Sequence, residues 1–331
     1  MIITRTPFRV SFFGGGTDYP AWFHEHGGAV LATTIDKYCY ISCRHLPPFF
    51  DHKHRIVYSR IENVRDVEDI EHPAVRAALN WTQYQHGLEI HHDGDLPARA
   101  GLGSSSSFTV GLLHALSALE GKYSSKEDLA KKAIYLEQEV IGENVGSQDQ
   151  VSAAYGGFNY IEFKKNGEFS VSPLILKESR INELQSHLML FFTGLSRVAS
   201  EIAKSQIEKI KSHENELFRM REMVEEATKI LHSDMPINEF GKLLHQNWLY
   251  KRSLSDKIST PEIDLIYEEA IEAGALGGKL LGAGGGGFVL LFAPPEKQMH
   301  IKERLRNLVH VPFKFESSGS RVVLYQPNGL L

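Results

Sequence analysis

The residues of this chain that could do chemistry fall in three glycine-rich loops and the carboxylates near them. Gly101-Leu102-Gly103-Ser104-Ser105-Ser106 runs directly into the apolar stretch from Phe108 to Leu119. Gly101 and Gly103 let the backbone turn where a side chain would clash, the serines offer hydroxyls and helix caps, and the run behind them reads as a buried helix. Unpaired N–H groups in the first turn of such a helix, at the positive end of its dipole, hold a polyphosphate without a lysine. The plainer reading is a Gly/Ser turn capping a core helix. A second loop, Gly14-Gly15-Gly16-Thr17-Asp18, ends a strand-like segment and makes Asp18 a candidate ligand for sugar hydroxyls, or an Asx-turn residue ahead of Pro20. Asp149 could be a helix cap or an acid–base. Glu137 and Glu139 sit near the end of a helix, where carboxylates oppose the dipole, so a bound cation or solvent exposure must account for them.

The elements that position these groups follow from periodicity. Ile2–Phe13 reads as a strand, as do 28–35 and 38–43. A loop over 47–54 precedes a strand near 55–58, a helix covers 71–85, and a strand near 88–92 leads to the serine loop. Ser125 begins a helix through Ile141, with Asp128 at the capping-box position. The remaining chain reads as a second α+β unit: a strand over 188–192, charged helices to about 231, helices near 237–254 and 262–273, the glycine run from 277 to 287, and strands over 288–292, 311–315 and 322–325. The expected division is 1–183 and 184–331.

The third loop, Gly282 to Gly287, formally satisfies G-x-G-x-x-G, but it opens a strand late in the chain, whereas a dinucleotide fingerprint follows the first strand and opens a helix. No Walker pattern and no G-x-S-x-G elbow is present. The 331 residues are 42% hydrophobic and 23% charged, with a net charge of −5 and dispersed basic residues. That balance argues against an extended nucleic-acid face or a membrane anchor. Without a signal-like N-terminus or an 18-residue apolar run, a cytoplasmic location is expected. Cys39 and Cys43 fall on one strand face and read as buried free thiols. The histidine pairs lack a catalytic-metal spacing.

In order, Pro7-Phe-Arg-Val with Gly14 to Asp18, then Gly101 to Ser106, then Lys279 to Gly287 resemble the three motifs of the GHMP kinase superfamily across nearly the whole chain. Within it, Gly-Gly-Gly-Thr-Asp, Gly146-Ser-Gln-Asp-Gln150 and Thr193-Gly-Leu-Ser-Arg197 look most like the bacterial D-glycero-D-manno-heptose 7-phosphate kinases, and L-fucose kinase-like domains share part of the signature. The resemblance implies an α+β, two-domain architecture: an N-terminal α/β domain of the ribosomal-protein-S5 type with a left-handed crossover, and a C-terminal ferredoxin-like domain, with the active site between them.

The resemblance also implies ATP and Mg²⁺ as cofactors and phosphorylation of the anomeric C1 hydroxyl of heptose 7-phosphate, a step toward nucleotide-heptoses for surface polysaccharide. It assigns Gly101 through Ser106 to ATP, Ser105 and Glu139 to Mg²⁺, Asp149 to proton acceptance and Arg9 to charge stabilisation. Gly15, Gly16, Thr17, Asp18, Gly284, Gly285 and Gly286 would face the acceptor. A remote phosphate needs its own cation; Arg197 is the first choice, with a surface ion pair as its plainer role, and Arg44, Lys53 and Lys279 are further candidates. The expected partners are ATP and a small sugar phosphate, with no nucleic acid or membrane, and the sequence leaves a homodimer open. An L-fucose or other sugar 1-kinase, a superfamily decarboxylase and a non-catalytic sugar/ATP sensor stay as alternatives; the full set of catalytic groups favours an enzyme.

Overall fold

The structure, a computed structural model, describes residues 1–98, 100–195 and 199–327. The chain opens with β1 (Ile2–Phe13), α1 (Pro20–His26) and the long β2 (Gly28–His45), then β3 (His54–Val57), β4 (Ile61–Val64), α2 (Pro73–Thr82) and β5 (Leu88–Gly94). Helices α3 (Ser104–Leu119), α4 (Lys126–Tyr135) and α5 (Gln148–Tyr155) precede the hairpin of β6 (Phe158–Phe163) and β7 (Phe169–Pro173). After α6 (Glu178–Ser186) and β8 (Leu188–Phe192) come α7 (Ala199–Glu208), α8 (Glu214–His232), α9 (Asn238–Ser253) and α10 (Pro261–Glu272). The last elements are β9 (Gly277–Leu280), β10 (Phe288–Phe292), α11 (Gln298–Arg304), β11 (Val309–His310), β12 (Phe315–Glu316) and β13 (Arg321–Tyr325).

β2 is the spine of the first sheet. It pairs with β1 along one edge, and along the other with β5 through Cys39–His45 and with β6 through residues 28–33. The two strands expected over 28–43 are therefore one, because each half of β2 finds its own partner. Cys39 and Cys43 are buried free thiols on it. Helix α3 lies on this sheet closely enough that the Thr4 hydroxyl donates to Gly111 O at 2.9 Å, and a β-carbon on Gly111 would come 2.9 Å from Thr6 Oγ1. Burial on nearly every face explains why this helix is an apolar run rather than a stripe.

The second sheet is antiparallel, in the order β11-β8-β10-β9. The glycine run from 277 opens as a strand, since residues 277–280 form β9 ahead of the loop at 282–287. A β-carbon on Gly277 would meet Gly241 O of α9 at 2.1 Å, so the glycines there let helix and strand backbones touch. The single strand expected over 311–315 is also replaced: β11 joins β8, the chain crosses back, and β12 pairs with Thr34–Ile35 of β2. β13 then pairs with residues 2–5 of β1. The expected second unit, 184–331, thus returns its last strands to the first sheet. Between the sheets, Phe12 and Phe13 pack against Phe240 at ring-centroid distances of 5.4 and 5.1 Å, and Phe240 reaches Phe292 at 6.1 Å. Such pairs add about 0.5–1.5 kcal/mol each beyond buried area, and they hold the end of β1, with the loop after it, against both units. Among the described residues, no helix is long and apolar enough to cross a membrane.

Candidate active site

β13 covers only the start of β1, which leaves the outer edge of β1 open further along. The serine-loop segment docks there: Arg9 N donates to Leu102 O at 3.0 Å, while Phe288 N donates to Ala100 O at 3.1 Å from the other side. The loop is thereby held between the first strand and the second sheet. Gly101 and Gly282 meet backbone to backbone, and a β-carbon on Gly101 would lie 2.3 Å from Leu281 O. Gly103, at φ 74°, caps α3 with no side chain over its first turn. The positive end of a buried helix thus carries no side-chain cap, the arrangement that binds anions.

Arg9 and Asp149 meet beside this loop. Arg9 Nε donates to Asp149 Oδ1 and Nη2 to Oδ2, both at 2.7 Å, and Nη1 donates to Gly101 O at 2.6 Å. Arg9 is buried, whereas a quarter of the Asp149 side chain is exposed. The fork holds the carboxylate plane while its remaining lone pairs stay accessible. A β-carbon on Gly103 would be 3.4 Å from Asp149 Oδ2, so the cradle and the carboxylate share one space.

The Gly14–Asp18 loop is held tightly from within. The Thr17 hydroxyl is buried, 2.8 Å from Gly14 O and 2.9 Å from Ala29 O, and fastens the loop to β2. Asp18 is 2% exposed; it accepts from Gly16 N at 2.9 Å and from Gln148 N at 3.4 Å, and Ser147 N donates to its carbonyl. Burial raises its pKa above the usual carboxylate value. In this structure Asp18 ties the loop to the start of α5 and so sets the position of Asp149; its oxygens do not reach an open surface. Gly15 and Gly16 are buried at the same turn. β-Carbons on Gly284 and Gly286 would meet Ile258 at 2.7 Å and Leu195 O at 2.6 Å. These glycines, with buried Gly285 between them, let the third loop pack closely against protein backbone.

Of the two glutamates near the end of α4, the structure turns one to solvent and one inward. Glu139 is exposed, and so is Ser105. Glu137 is instead 1% exposed, and the Ser106 hydroxyl donates to its Oε2 at 2.9 Å. Gln150 Nε2 donates to the same oxygen, leaving Oε1 buried without a partner. α4 ends in a π-helical turn over Leu136–Val140, which carries Glu137 inward to the first turn of α3. Burial raises the Glu137 pKa to about 7, against the nearby Thr109 hydroxyl and the Ser106 and Gln150 donors, which lower it. A buried carboxylate with one oxygen unpartnered, at the first turn of α3, suits a hard divalent cation. The sequence carried a signal for it: Glu137 follows buried Ala130 and Ala133 at helical spacing and falls within their stripe.

Two lysines are buried nearby: Lys279, one of the candidate cations, and Lys251, which the sequence reading did not single out. Lys251 of α9 and Lys279 of β9 are 4% and 3% exposed. Lys251 Nζ donates to Gln206 Oε1 at 2.7 Å, and Lys279 Nζ to Phe12 O at 3.1 Å. Desolvation lowers them to about 8 and about 7, and Asp18 opposes both shifts. Arg197 lies outside the described residues. Arg44 pairs with Glu89 on β2, ten residues beyond Thr34, the partner of Arg9. At ~3.3 Å per residue that is roughly 30 Å away, and Lys53, which leads into β3, lies at the same far end.

Comparison with known proteins sets this geometry among relatives. A family model described as the GHMP kinases N terminal domain matches residues 71–157, and the GHMP kinases C terminal model matches residues 229–310. The chain is 30% identical over 318 residues to D-glycero-alpha-D-manno-heptose 7-phosphate kinase of Campylobacter jejuni, covering 92% of this chain and 93% of that one. It is 25% identical to galactokinase of Thermotoga neapolitana, over 94% and 95% of the two chains. The crystal structure of a D-glycero-D-manno-heptose 1-phosphate kinase from Bacteroides thetaiotaomicron superposes with a TM-score of 0.80 at 23% identity, over 97% and 98% of the two chains.

Proposed function

The chain belongs to the GHMP kinase family and is an ATP-dependent phosphotransferase, and we propose that it phosphorylates the anomeric C1 hydroxyl of D-glycero-D-manno-heptose 7-phosphate. The observation that carries this reading is the Arg9–Asp149 fork beside the uncapped start of α3. Phosphoryl transfer asks chiefly for positioning and charge neutralisation, and one carboxylate at the cradle is placed to orient the acceptor hydroxyl and take its proton. Arg9 fixes that carboxylate and ties it to the loop through Gly101 O. Glu137 Oε1, with the Ser105 hydroxyl on the adjacent turn, would hold Mg²⁺, which supplies charge neutralisation on the phosphates. Ser106 and Gln150 keep the Glu137 carboxylate in place.

The named heptose relatives differ in which phosphate the sugar already carries, and the acceptor therefore decides the test. ADP release is compared for heptose 7-phosphate, heptose 1-phosphate, unphosphorylated heptose, mannose, mannose 6-phosphate, fucose and galactose, and phosphorus NMR locates the new phosphate. Heptose 7-phosphate is expected to give the highest catalytic efficiency, with the new phosphate at C1. A higher efficiency on fucose or galactose overturns the heptose reading and leaves the kinase intact; a product phosphorylated elsewhere overturns the anomeric assignment.

Gly103→Val probes the cradle. Its φ is 74°, and the new side chain would press on Arg9 Cγ at 3.2 Å and on Asp149. ATP affinity is expected to fall by about tenfold or more, with a much smaller loss for the sugar. Calorimetric titration with each ligand separately checks this, and equal losses would mean that the loop supports the fold instead.

A further inference from the structure

The side chains of Ser11 and Gln148 take no part in the transfer chemistry above, yet each brings an unpaired polar atom to the region of Asp149. Ser11 is 3% and Gln148 8% exposed, and neither Ser11 Oγ nor Gln148 Oε1 has a hydrogen-bond partner among the described residues. Unpaired polar atoms are costly to bury, so each calls for an occupant supplied from outside. One point locates both. A β-carbon on Gly15 would lie 3.6 Å from Gln148 Nε2 and 3.8 Å from Ser11 Oγ, with no other described atom within 4 Å beyond the adjoining glycines. Gly15 also lacks the positive φ of Gly14 and Gly16, so its backbone does not demand glycine. What the missing side chain provides at this position is room, walled by two uncharged polar side chains.

This room adjoins the reacting centre. Strand alternation places Ser11 on the face of β1 that carries Arg9, and Gln148 precedes Asp149 at the start of α5. Ser11 and Gln148 therefore stand beside the Arg9–Asp149 fork, displaced from it by about 7 Å along β1. That offset is comparable to the distance between hydroxyls on opposite sides of a sugar ring. The chemistry of the two groups selects the occupant. Gln148 Oε1 only accepts, so it needs a donor, which a fully ionised phosphate does not have. A hydroxyl donates one hydrogen bond and accepts others, and so satisfies the amide and the serine together.

We propose that Ser11 and Gln148 hold one ring hydroxyl of the acceptor in the space beside Gly15, and so help to determine which sugars are taken. The proposal rests on the reading of the acceptor as a sugar. A site built to hydrogen-bond a hydroxyl rejects an analogue that lacks it, because its own buried groups are then left unpaired. Holding the ring at a second point also fixes the direction in which the C1 hydroxyl meets Asp149.

Ser11→Ala, Gln148→Leu and Gly15→Ala are compared with the wild type by ADP release, and by calorimetry with sugar and ATP separately. The acceptor is heptose 7-phosphate, or whichever sugar of the series above gives the highest efficiency. The first two variants remove oxygens that have no partner in the protein, so thermal melting should stay near the wild-type value. Gly15→Ala places a methyl group in the space at ordinary contact distances and should melt no lower. Catalytic efficiency on the sugar is expected to fall about tenfold or more in Gln148→Leu and Gly15→Ala, and less in Ser11→Ala, with ATP affinity unchanged. Analogues of the acceptor that each lack one ring hydroxyl identify the contact. One of them should suffer a loss of similar size with the wild type and no further loss with Gln148→Leu. The contact is overturned, and the space left to an ordered water, if every analogue loses equally with both proteins, if Gly15→Ala uses the sugar as well as the wild type does, or if Ser11→Ala and Gln148→Leu melt lower with sugar use unchanged. A wild type that turns over none of the sugars overturns the acceptor reading, and the contact with it.

Discussion

Asp149→Asn is expected to lower kcat by about 100-fold or more, the scale of general-base catalysis, while ATP affinity stays close to that of the wild type. Two effects add in the same direction. The amide cannot accept the acceptor's proton, and it also breaks the fork: Arg9 donates to both Asp149 oxygens, and an asparagine would turn an NH₂ donor toward one of two guanidinium donors. Arg9 would then lose half of its fixed geometry, although its bond to Gly101 O remains. Arg9→Lys separates the two contributions, because it keeps the charge and the Asp149 carboxylate but removes the planar fork; its loss should be the smaller. Turnover is followed by ADP release and ATP binding by calorimetry. Near-normal turnover in Asp149→Asn would dismiss this residue as the base, and an equal loss of ATP binding would point to a collapsed loop.

Glu137→Gln is expected to cost on the order of 100-fold in magnesium-dependent turnover, since charge stabilisation by a bound metal is worth several kcal/mol and each 1.36 kcal/mol is about tenfold. Glutamine keeps the shape and one acceptor for Ser106 and Gln150, but it loses the charge that the unpartnered Oε1 would offer a cation. Because a neutral amide is cheaper to bury than a carboxylate, the variant should melt no lower than the wild type. Glu139→Gln changes an exposed side chain and should stay within about twofold. Manganese titration in the presence of ATP, read by electron paramagnetic resonance, tests cation binding apart from turnover. The reverse outcome, with Glu139→Gln impaired and Glu137→Gln intact, would return the cation to Glu139.

The contrast between these two glutamates shows what the sequence could and could not reveal. Local signals were readable: β1 and β10 occupy the expected residues, and Ser125 caps α4 by accepting from Asp128 N at 3.1 Å. Motif order brought Arg9, Asp149 and the serine loop into one reading, although no local pattern in β1 says that residue 9 faces a loop 92 positions away. Charged residues in phase with an apolar stripe were the signal left unused. Lys251 continues the buried face of Phe240, Leu244, Asn247 and Trp248 in α9, as Glu137 continues that of α4. The burial of Asp18 was hidden for another reason. Nothing in Gly-Gly-Gly-Thr-Asp indicates that Gly146 brings a backbone against the carboxylate so closely that a β-carbon there would sit 1.9 Å from Oδ2. The hairpin β6–β7 was unexpected as well, even though β6 alternates between buried and half-buried residues.

The pairing of β13 with β1 has a consequence for how the protein is made. Ile2 and Tyr325 are register partners. At about 5–20 residues per second on the ribosome, the outer edge of β1 waits on the order of tens of seconds before its neighbour has been synthesised. During that interval the backbone from Ile2 to Arg5 presents an open strand edge, the kind of surface that recruits other strands. Slowed elongation or a stalled ribosome should therefore raise aggregation of nascent chains, and supplying residues 315–327 in trans as a peptide should suppress it.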